Sequence, residues 1–324
     1  MNSFGRIFRV HIFGESHGVS VGIVVDGCPP GISLVEEDFF EDLERRKGGK
    51  QKGTTPRQEA DYPLIKSGLF NGKTTGAPIT ILFENNNTRS TDYEKQRDVP
   101  RPGHADFVAR EKFKGFEDYR GGGHFSGRLT VCLVAAGVIA KKILSGIDVK
   151  AEIIEIAGES DLEKGLQRAI DAKDSVGGIV GCEVKGLPIG WGEPFFDSVE
   201  SLLAHAVFSI PAVRGIEFGT GFPATKMFGI EHNDAILNTE GKTITNHAGG
   251  VVGGISNGNP LVFRVAIKPT SSTPKEQMTL NWETGSTEKF SVKGRHDLCI
   301  ALRVPPVLEA VTAMVLADLK LVSK

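Results

Sequence analysis

Cysteine is scarce and scattered in this chain of 324 residues: Cys28, Cys132, Cys182 and Cys299 form no C-x-x-C pair. No signal-like N-terminus sends the chain to an oxidising compartment, so the expectation is reduced, buried thiols in a cytoplasmic protein. Excess positive charge is missing as well. The 38 Lys+Arg against 40 Asp+Glu leave a formal charge of -2, which removes the broad basic surface of non-specific nucleic-acid binding, so an anion site must be local. The longest apolar stretch, Leu129 to Ala140, stops at Lys141-Lys142 and is too short to span a bilayer. With three tyrosines and two tryptophans against 40 glycines, loops and tight turns are expected to build the working surface in place of aromatic platforms.

Several familiar motifs are also missing. No G-x-G-x-x-G occurs, and the triplets Gly72-Lys73-Thr74 and Gly241-Lys242-Thr243 have Ser67 and Ile236 where a P-loop needs its first glycine. Rossmann and Walker sites are thereby excluded. There is no H-E-x-x-H and no Cys/His cluster at zinc spacing, so no metal site is expected.

What the chain does contain is an alternation of short strands with a few apolar helices. Phe8 to Phe13, Val21 to Val25, Ile79 to Phe83, a strand near Ala151, Ile179 to Val184 and Leu261 to Ile267 read as strands. Ser33 and Glu36 have capping-box spacing ahead of a helix over 34–46. Further helices are expected at Asp106 to Phe113, from Ser160, at Ser198 to Phe208, and from the turn holding Pro305-Pro306. Thr130 to Leu144 is apolar nearly all round, which suits a helix in the middle of the molecule. Helices do not alternate regularly with strands, so antiparallel sheets on buried helices, an α+β fold, suit the pattern better than a doubly wound sheet. The chain reads as one domain over 1–324, with a candidate α/β insertion lobe at about 150–219. Two readings stay open for a faint echo between the ends, His17 with Gly18, Gly22, Gly27 and Pro29 against His247 with Gly249, Gly253, Gly258 and Pro260: a duplicated unit, or chance likeness of glycine-rich loops.

Candidate chemistry lies in the loops. Arg45 to Arg57 carries six basic residues in thirteen positions and no acid, suited to wrapping a phosphate or carboxylate, or simply a solvated basic loop. His17 sits in a tight turn after a strand, and His104 follows Arg101 by three residues; either is a natural proton carrier or a structural histidine. The plain alternative for the second block is a helix start, with Asp106 favouring the first turn. The glycine loop Arg120 to Arg128 leads into the buried helix and can form an anion nest or a packing loop. Lys268-Pro269-Thr270-Ser271-Ser272 and Lys293 to Asp297 add cations and hydroxyls.

In this order the segments resemble the chorismate synthase family from Phe4 to about Leu319. The matching blocks are Phe13 to Gly18, Arg45 to Arg57, Arg101 to Asp106, Tyr119 to Gly123, Asn246 to Gly250 with Gly253 to Ser256, Lys268 to Ser272 and Gly294 to Asp297. The resemblance implies a β-α-β sandwich with central helices between antiparallel sheets, usually a homotetramer. It implies a lyase that eliminates phosphate 1,4-anti from 5-enolpyruvylshikimate 3-phosphate to give chorismate. Reduced FMN is implied as cofactor, with NADPH involved only through an external flavin reductase, since no nicotinamide motif is recognisable. By the same resemblance His17, His104 and Asp297 are catalytic, and Arg46, Lys52, Arg101, Arg128 and Arg295 bind substrate. FMN falls to His124, Phe125, Ser126, Gly253, Lys268, Pro269, Thr270, Ser271, Ser272 and Arg295. The chain departs from the pattern at His124-Phe125, where the family usually has Arg-Ser, at Lys52, where it has arginine, at Pro211-Ala212, where it has Asn-Ala, and in a short 150–174 region. A non-catalytic flavin- or phosphate-binding protein is the alternative; it has no need of both histidines. An RNA-binding module lacks stacking aromatics in the basic loop.

Overall fold

Alternate burial of Val21, Ile23 and Val25 on one strand, and of Ile79, Ile81 and Phe83 on another, turns one face of a sheet into core. The computed structural model describes residues 2–49, 52–57, 59–87, 97–292 and 296–323. The first sheet is built from β1 (Ser3–Phe4), β2 (Arg9–Gly14), β3 (Ser20–Asp26), β4 (Leu64–Ile65) and β7 (Ile79–Glu84), in the order β1-β2-β3-β7-β4. All its pairings are antiparallel, with Ile23 opposite both Ile12 and Ile81. A short ribbon, β5 (Leu69–Phe70) with β6 (Lys73–Thr74), precedes β7.

The second sheet, also antiparallel, has the order β10-β13-β9-β8 from β8 (Asp148–Ile156), β9 (Gly178–Lys185), β10 (Val213–Phe218) and β13 (Leu261–Ile267). Three of its strands come from 148–218 and the fourth from the last third of the chain. Two ribbons flank β13: β11 (Val251–Val252) with β12 (Ile255–Ser256), and β14 (Gln277–Asn281) with β15 (Ser286–Phe290).

Helices make up the rest of the regular structure. They are α1 (Phe40–Arg46), α2 (Asp106–Phe113), α3 (Thr130–Ile143), α4 (Leu162–Ala172), α5 (Val199–Val207), the single turn α6 (Gly229–His232) and α7 (Pro305–Val322). α3 packs on α7, with α3 against β3 and β7 and α7 against β8 and β9. Small residues set how close the two come: a Cβ on Gly137 would stand 2.3 Å from that of Ala310. One continuous apolar core runs from Phe8 to Leu319 through both sheets. A separate cluster of Val99, Phe290 and Val292 lies beneath the β14–β15 hairpin, whose Trp282 stacks on Phe107 of α2 at 5.8 Å.

The strands and helices fall close to their expected places, Asp106–Phe113 and Leu261–Ile267 without a shift. One expectation is corrected. Ser33 does not cap a helix over 34–46, because it bridges Lys73 in an extended pairing. Instead Asp38 accepts the Val35 N–H at 2.8 Å and opens a 3₁₀ turn at Glu36–Phe39, which leads into α1. All four cysteines are buried free thiols, and burial pushes Cys132 and Cys182 up to about 12, where they are unreactive. No described helix is long and apolar enough to cross a membrane.

Candidate functional site

Where the N-terminal ends of α3 and α7 meet the loops, a cavity of about 670 Å³ opens, within the usual range of roughly 300–1,000 Å³ for ligand sites. Leu133 of α3 and Val307, Val311 and Met314 of α7 give it an apolar floor, and its rim holds Arg46, Arg101, Arg128, Arg303 and Lys268.

Arg46 and Arg128 are tied to one carboxylate. Asp61 accepts Arg46 Nη2 at 2.6 Å through Oδ2 and Arg128 Nη1 through Oδ1, and its side chain is fully buried. Burial alone would raise the Asp61 carboxyl, but the two guanidiniums outweigh it and hold it below the usual range. Arg128 also donates to Asn85 Oδ1 at 2.9 Å and to the Glu84 carbonyl at 3.1 Å. Arg46 has Thr130 Oγ1 at 3.3 Å, yet its Nε is buried with no hydrogen-bond partner. Burial, then Arg303 and Arg128, pull Arg46 below the usual arginine range against Asp61; a guanidinium stays protonated at neutral pH all the same.

His104 sits in a second charged group. Asp106, in the first turn of α2, holds His104 Nδ1 at 2.5 Å and forms a two-pronged pair with Arg101, at 2.7 Å to Nε and 2.8 Å to Nη2. This makes Asp106 an orienting group for the imidazole as well as a helix-start acid. Burial, together with the charges of Arg101 and Lys268, lowers His104 from its ordinary value despite Asp106. Asp106 is held far below the carboxylate range by its bonds from Arg101 and His104, which outweigh burial.

Between the two histidines runs the glycine loop. Gly121 and Gly122 both have positive φ, 59° and 81°, and each is pressed against a ring. An added Cβ would lie 2.6 Å from His17 Nε2 at Gly121 and 3.2 Å from His104 Nε2 at Gly122. Only glycine allows that approach. His17 is buried behind Gly121 and does not itself line the cavity. Burial, with Arg57 and Arg120 nearby, lowers it from the ordinary histidine value.

The strip from Lys268 to Ser272 lines the cavity throughout. Lys268 Nζ donates to the Gly103 carbonyl and to Ser271 Oγ, both at 2.7 Å, and Arg101 Nη1 donates to Ser272 Oγ at 3.2 Å. Thr270 Oγ1 is buried and has no partner. Of the other expected flavin residues, His124, Phe125 and Ser126 line the cavity. His124 Nδ1 is engaged with the Gly14 carbonyl at 2.8 Å, Phe125 packs on Phe113, and Ser126 Oγ accepts the Arg128 N–H at 3.3 Å as a cap. Pro211 and Ala212 line it too.

Besides His17, two expected residues stand away from this cavity. Lys52 directs its ammonium to Gln167 Oε1 at 3.3 Å on the surface, because Gly53 packs against Leu166 of α4 and carries the loop there. Gly253 occupies the turn between β11 and β12, where an added Cβ would meet nothing within 4 Å. Arg295 lies outside the described residues. Asp297 lines the cavity, with Oδ1 accepting the Thr55 N–H at 2.8 Å and Oδ2 accepting Arg303 Nη1 at 3.1 Å.

Sequence reasoning missed Asp61 and Arg303. Asp61 falls in a loop without motif texture, in a left-handed backbone conformation of φ 51°. Arg303 precedes Val304-Pro305-Pro306, a segment that reads only as a helix start. Among the described residues, no cluster of three or more His, Cys, Asp or Glu is placed to hold a metal.

With this geometry in view, the chain can be set beside known proteins. A sequence profile described as chorismate synthase matches residues 8–321. A protein of Chitinophaga pinensis named chorismate synthase is 75% identical over 325 residues, covering 100% of this chain and 98% of its own. One of the same name from Methanocaldococcus jannaschii is 44% identical over 363 residues, covering 98% of this chain and 96% of its own. A crystal structure of chorismate synthase superposes with a TM-score of 0.75 at 25% identity, over 99% of this chain and 93% of that one.

Proposed function

The chain belongs to the chorismate synthase family, and from that premise we propose that the charged cavity is its active site. The reaction is the 1,4-anti elimination of phosphate from 5-enolpyruvylshikimate 3-phosphate, which gives chorismate. One observation supports the placement above the rest: Arg46 Nε and Thr270 Oγ1, both in residues lining the cavity, are buried without partners. A substrate carrying a phosphate and two carboxylates supplies the acceptor that Arg46 Nε lacks, and a flavin mononucleotide the one that Thr270 Oγ1 lacks.

Arg46, Arg101 and Arg128 bind the substrate's anionic groups, joined by Arg303 and, on family resemblance, by Arg295. The expected roles of Lys52 and Gly253 rest on that resemblance alone, and their positions outside the cavity weigh against them. The donor set of Lys268, Thr270, Ser271 and Ser272 fits a flavin mononucleotide, with Phe125 and Ser126 alongside. When bound, reduced FMN supplies an electron-rich ring and a base for the C6 proton, with no net redox change.

His104 is the general acid. With Nδ1 committed to Asp106, Nε2 is the nitrogen that faces the leaving phosphate, beside Arg101 Nη2 at 3.3 Å. Burial favours the neutral ring in the free protein, but a trianion beside it offsets Arg101 and Lys268 and restores proton affinity. As the C–O bond breaks, the Nε2 proton passes to a phosphate oxygen. His17, held behind Gly121, would supply a proton or hydrogen bond to the reduced flavin. Asp297, its carboxylate fixed by Thr55 and Arg303, would take up a proton at the flavin site.

Reduced flavin reaches the protein from an external NADPH-dependent reductase, and the chain works as one domain in a cytoplasmic homotetramer; these points rest on the family resemblance. An anaerobic assay with chemically reduced FMN tests the function. Chorismate and phosphate should appear in equal amounts, and oxidised FMN alone should give neither. Equal turnover without a reductant would sink the flavin assignment.

A further inference from the structure

We propose that Trp282, at the tip of the β14–β15 hairpin, is a positioning residue for the general acid: it holds α2 in place, and with α2 the Asp106 carboxylate that orients His104. The proposal rests on the role assigned to His104 above. Trp282 does not line the large cavity, so it acts only through the residues it packs on.

α2 cannot hold itself. It has eight residues, of which only Ala109 is buried, and an isolated helix shorter than about 12–15 residues is marginal in water. Yet its first residue is Asp106, whose Oδ1 stands 2.5 Å from His104 Nδ1. Ring contacts fix the helix from outside. At its C-terminal end Phe113 tilts against Phe125 at 6.2 Å. Nearer its start, Phe107 and Arg110 are three residues apart and so share a face, and both meet Trp282. The Phe107 ring lies at 5.8 Å and within 12° of parallel, and the Arg110 guanidinium is 4.4 Å from the indole centroid. A tryptophan face suits both partners, being large enough to stack and the best aromatic surface for a cation.

The hairpin also secures the segment ahead of His104. The Trp282 N–H donates to the Asp98 carbonyl at 2.9 Å, Thr279 Oγ1 to the Pro100 carbonyl at 2.7 Å, and Arg110 Nη1 to the Arg97 carbonyl at 3.0 Å. Val99 packs with Phe290 and Val292, apart from the main core. Arg101 follows directly and forms the two-pronged pair with Asp106, so both members of that pair ride on chain that the hairpin holds. The base of the hairpin is closed by the Val292 N–H on the Thr273 carbonyl at 3.3 Å, next to Ser272, whose Oγ accepts from Arg101. A two-stranded ribbon alone is as marginal as α2; each supports the other. The indole borders the void of about 20 Å³ that His104, Asp106 and Ala109 also line, so truncating it opens space into which the helix can shift. A misplacement of about 1 Å can cost about a hundredfold in rate.

The test uses the full chain with reduced FMN and the phosphorylated substrate, each variant first shown to be folded by circular dichroism. Trp282→Ala should lower kcat about tenfold or more, and Trp282→Phe, which keeps an aromatic face, should recover most of the loss. A merely structural lesion costs the same factor in any background, so the deciding measurement repeats Trp282→Ala on Asp106→Ala. There it should cost less than about twofold, because the carboxylate it positions is gone. Thr279→Val removes the bond to Pro100 and leaves the indole, so a smaller loss with the same dependence on Asp106 is expected; it keeps the proposal testable should Trp282→Ala fold poorly. Were the folded variants to keep the wild-type kcat, or to lose the same factor with and without Asp106, the positioning role would be overturned, while slow His104→Ala and Asp106→Ala still upheld the acid. Wild-type rates in His104→Ala and Asp106→Ala would instead overturn the general-acid reading and this proposal with it.

Discussion

Arg45 and Arg46 are neighbours in α1, yet they are held by two very different carboxylates. Arg45 meets Glu309 of α7 through both Nη atoms, at 2.8 and 2.6 Å, and Glu309 also takes Lys141 Nζ at 3.0 Å and the Ala151 N–H at 3.1 Å. Arg46 meets Asp61, which also serves Arg128, and its own Nε goes unpaired. The Glu309 group is saturated from within the chain and ties α1, α3, α7 and β8 together. The Asp61 group holds two guanidiniums on one carboxylate at the cavity wall and leaves donor capacity over. Saturation marks a structural hub, whereas surplus cation marks a hub prepared for an anionic ligand.

Removing the Asp61 charge should give the largest effect. Asp61→Asn leaves two buried guanidiniums without a counter-ion, and breaking a buried pair of this kind costs about 3–5 kcal/mol. The expected outcome is a lowered denaturation midpoint that substrate partly restores, because bound anion replaces the lost charge. The same titration on Glu309→Gln should restore nothing. Equal responses of the two variants to substrate would erase the distinction between the hubs.

Next comes activity. Arg46→Ala should lower kcat/KM about a hundredfold and make it less sensitive to salt, since truncating one partner of a buried charge pair costs roughly 2–5 kcal/mol. Arg45→Ala, one residue away, should leave kcat/KM per folded molecule unchanged. Steady-state kinetics at two ionic strengths check both, and a comparable loss in Arg45→Ala would contradict the division of labour.

The sequence made one of these arginines visible and could not separate them. A basic loop announces local cation density, but which guanidinium is buried depends on carboxylates 15 and 264 residues away. The same physics decides the rest. The strands and the central helix α3 were legible because period-two burial in β3 and β7 and all-round apolarity in α3 are local properties, while α7 showed only its Pro305-Pro306 start. The Ser33 cap failed because a long-range bridge to Lys73 took the residue. His104 stood out by type, while its orientation by Asp106 and its approach to Gly122 appear only once the loops are folded against each other.

A smaller effect is expected from the saturated hub. Glu309→Gln keeps the shape and some of the bonds, so about 1–2 kcal/mol of stability should be lost, discounted because Arg45 is 39% exposed. Burial raises the Glu309 carboxyl, but the bonds from Arg45 and Lys141 outweigh it and hold it below its ordinary 4.5. Its contribution is therefore fully present above that value and fades as pH falls through the lowered one. Denaturation at stepped pH should show wild type and variant converging on the acid side of about pH 4.5. A gap that stayed constant down to pH 2 would mean that charge at Glu309 does not matter.

The smallest effect should come from Lys52, in the same basic loop as Arg46. Its ammonium reaches Gln167 on the surface of α4, and the residue is exposed and outside the cavity. An exposed cation of this sort contributes within about 0.5 kcal/mol, so Lys52→Ala should change kcat/KM by no more than about twofold, with the salt dependence of wild type. Placing Lys52 with Arg46 on the substrate follows from the family resemblance, whereas the fold separates the two by carrying Gly53 onto Leu166 and turning Arg46 inward to Asp61. Measuring both variants under one set of conditions isolates that difference. A loss for Lys52→Ala approaching that of Arg46→Ala would mean that the loop closes over bound substrate as a unit, and that surplus cation at Asp61 is only part of the anion site.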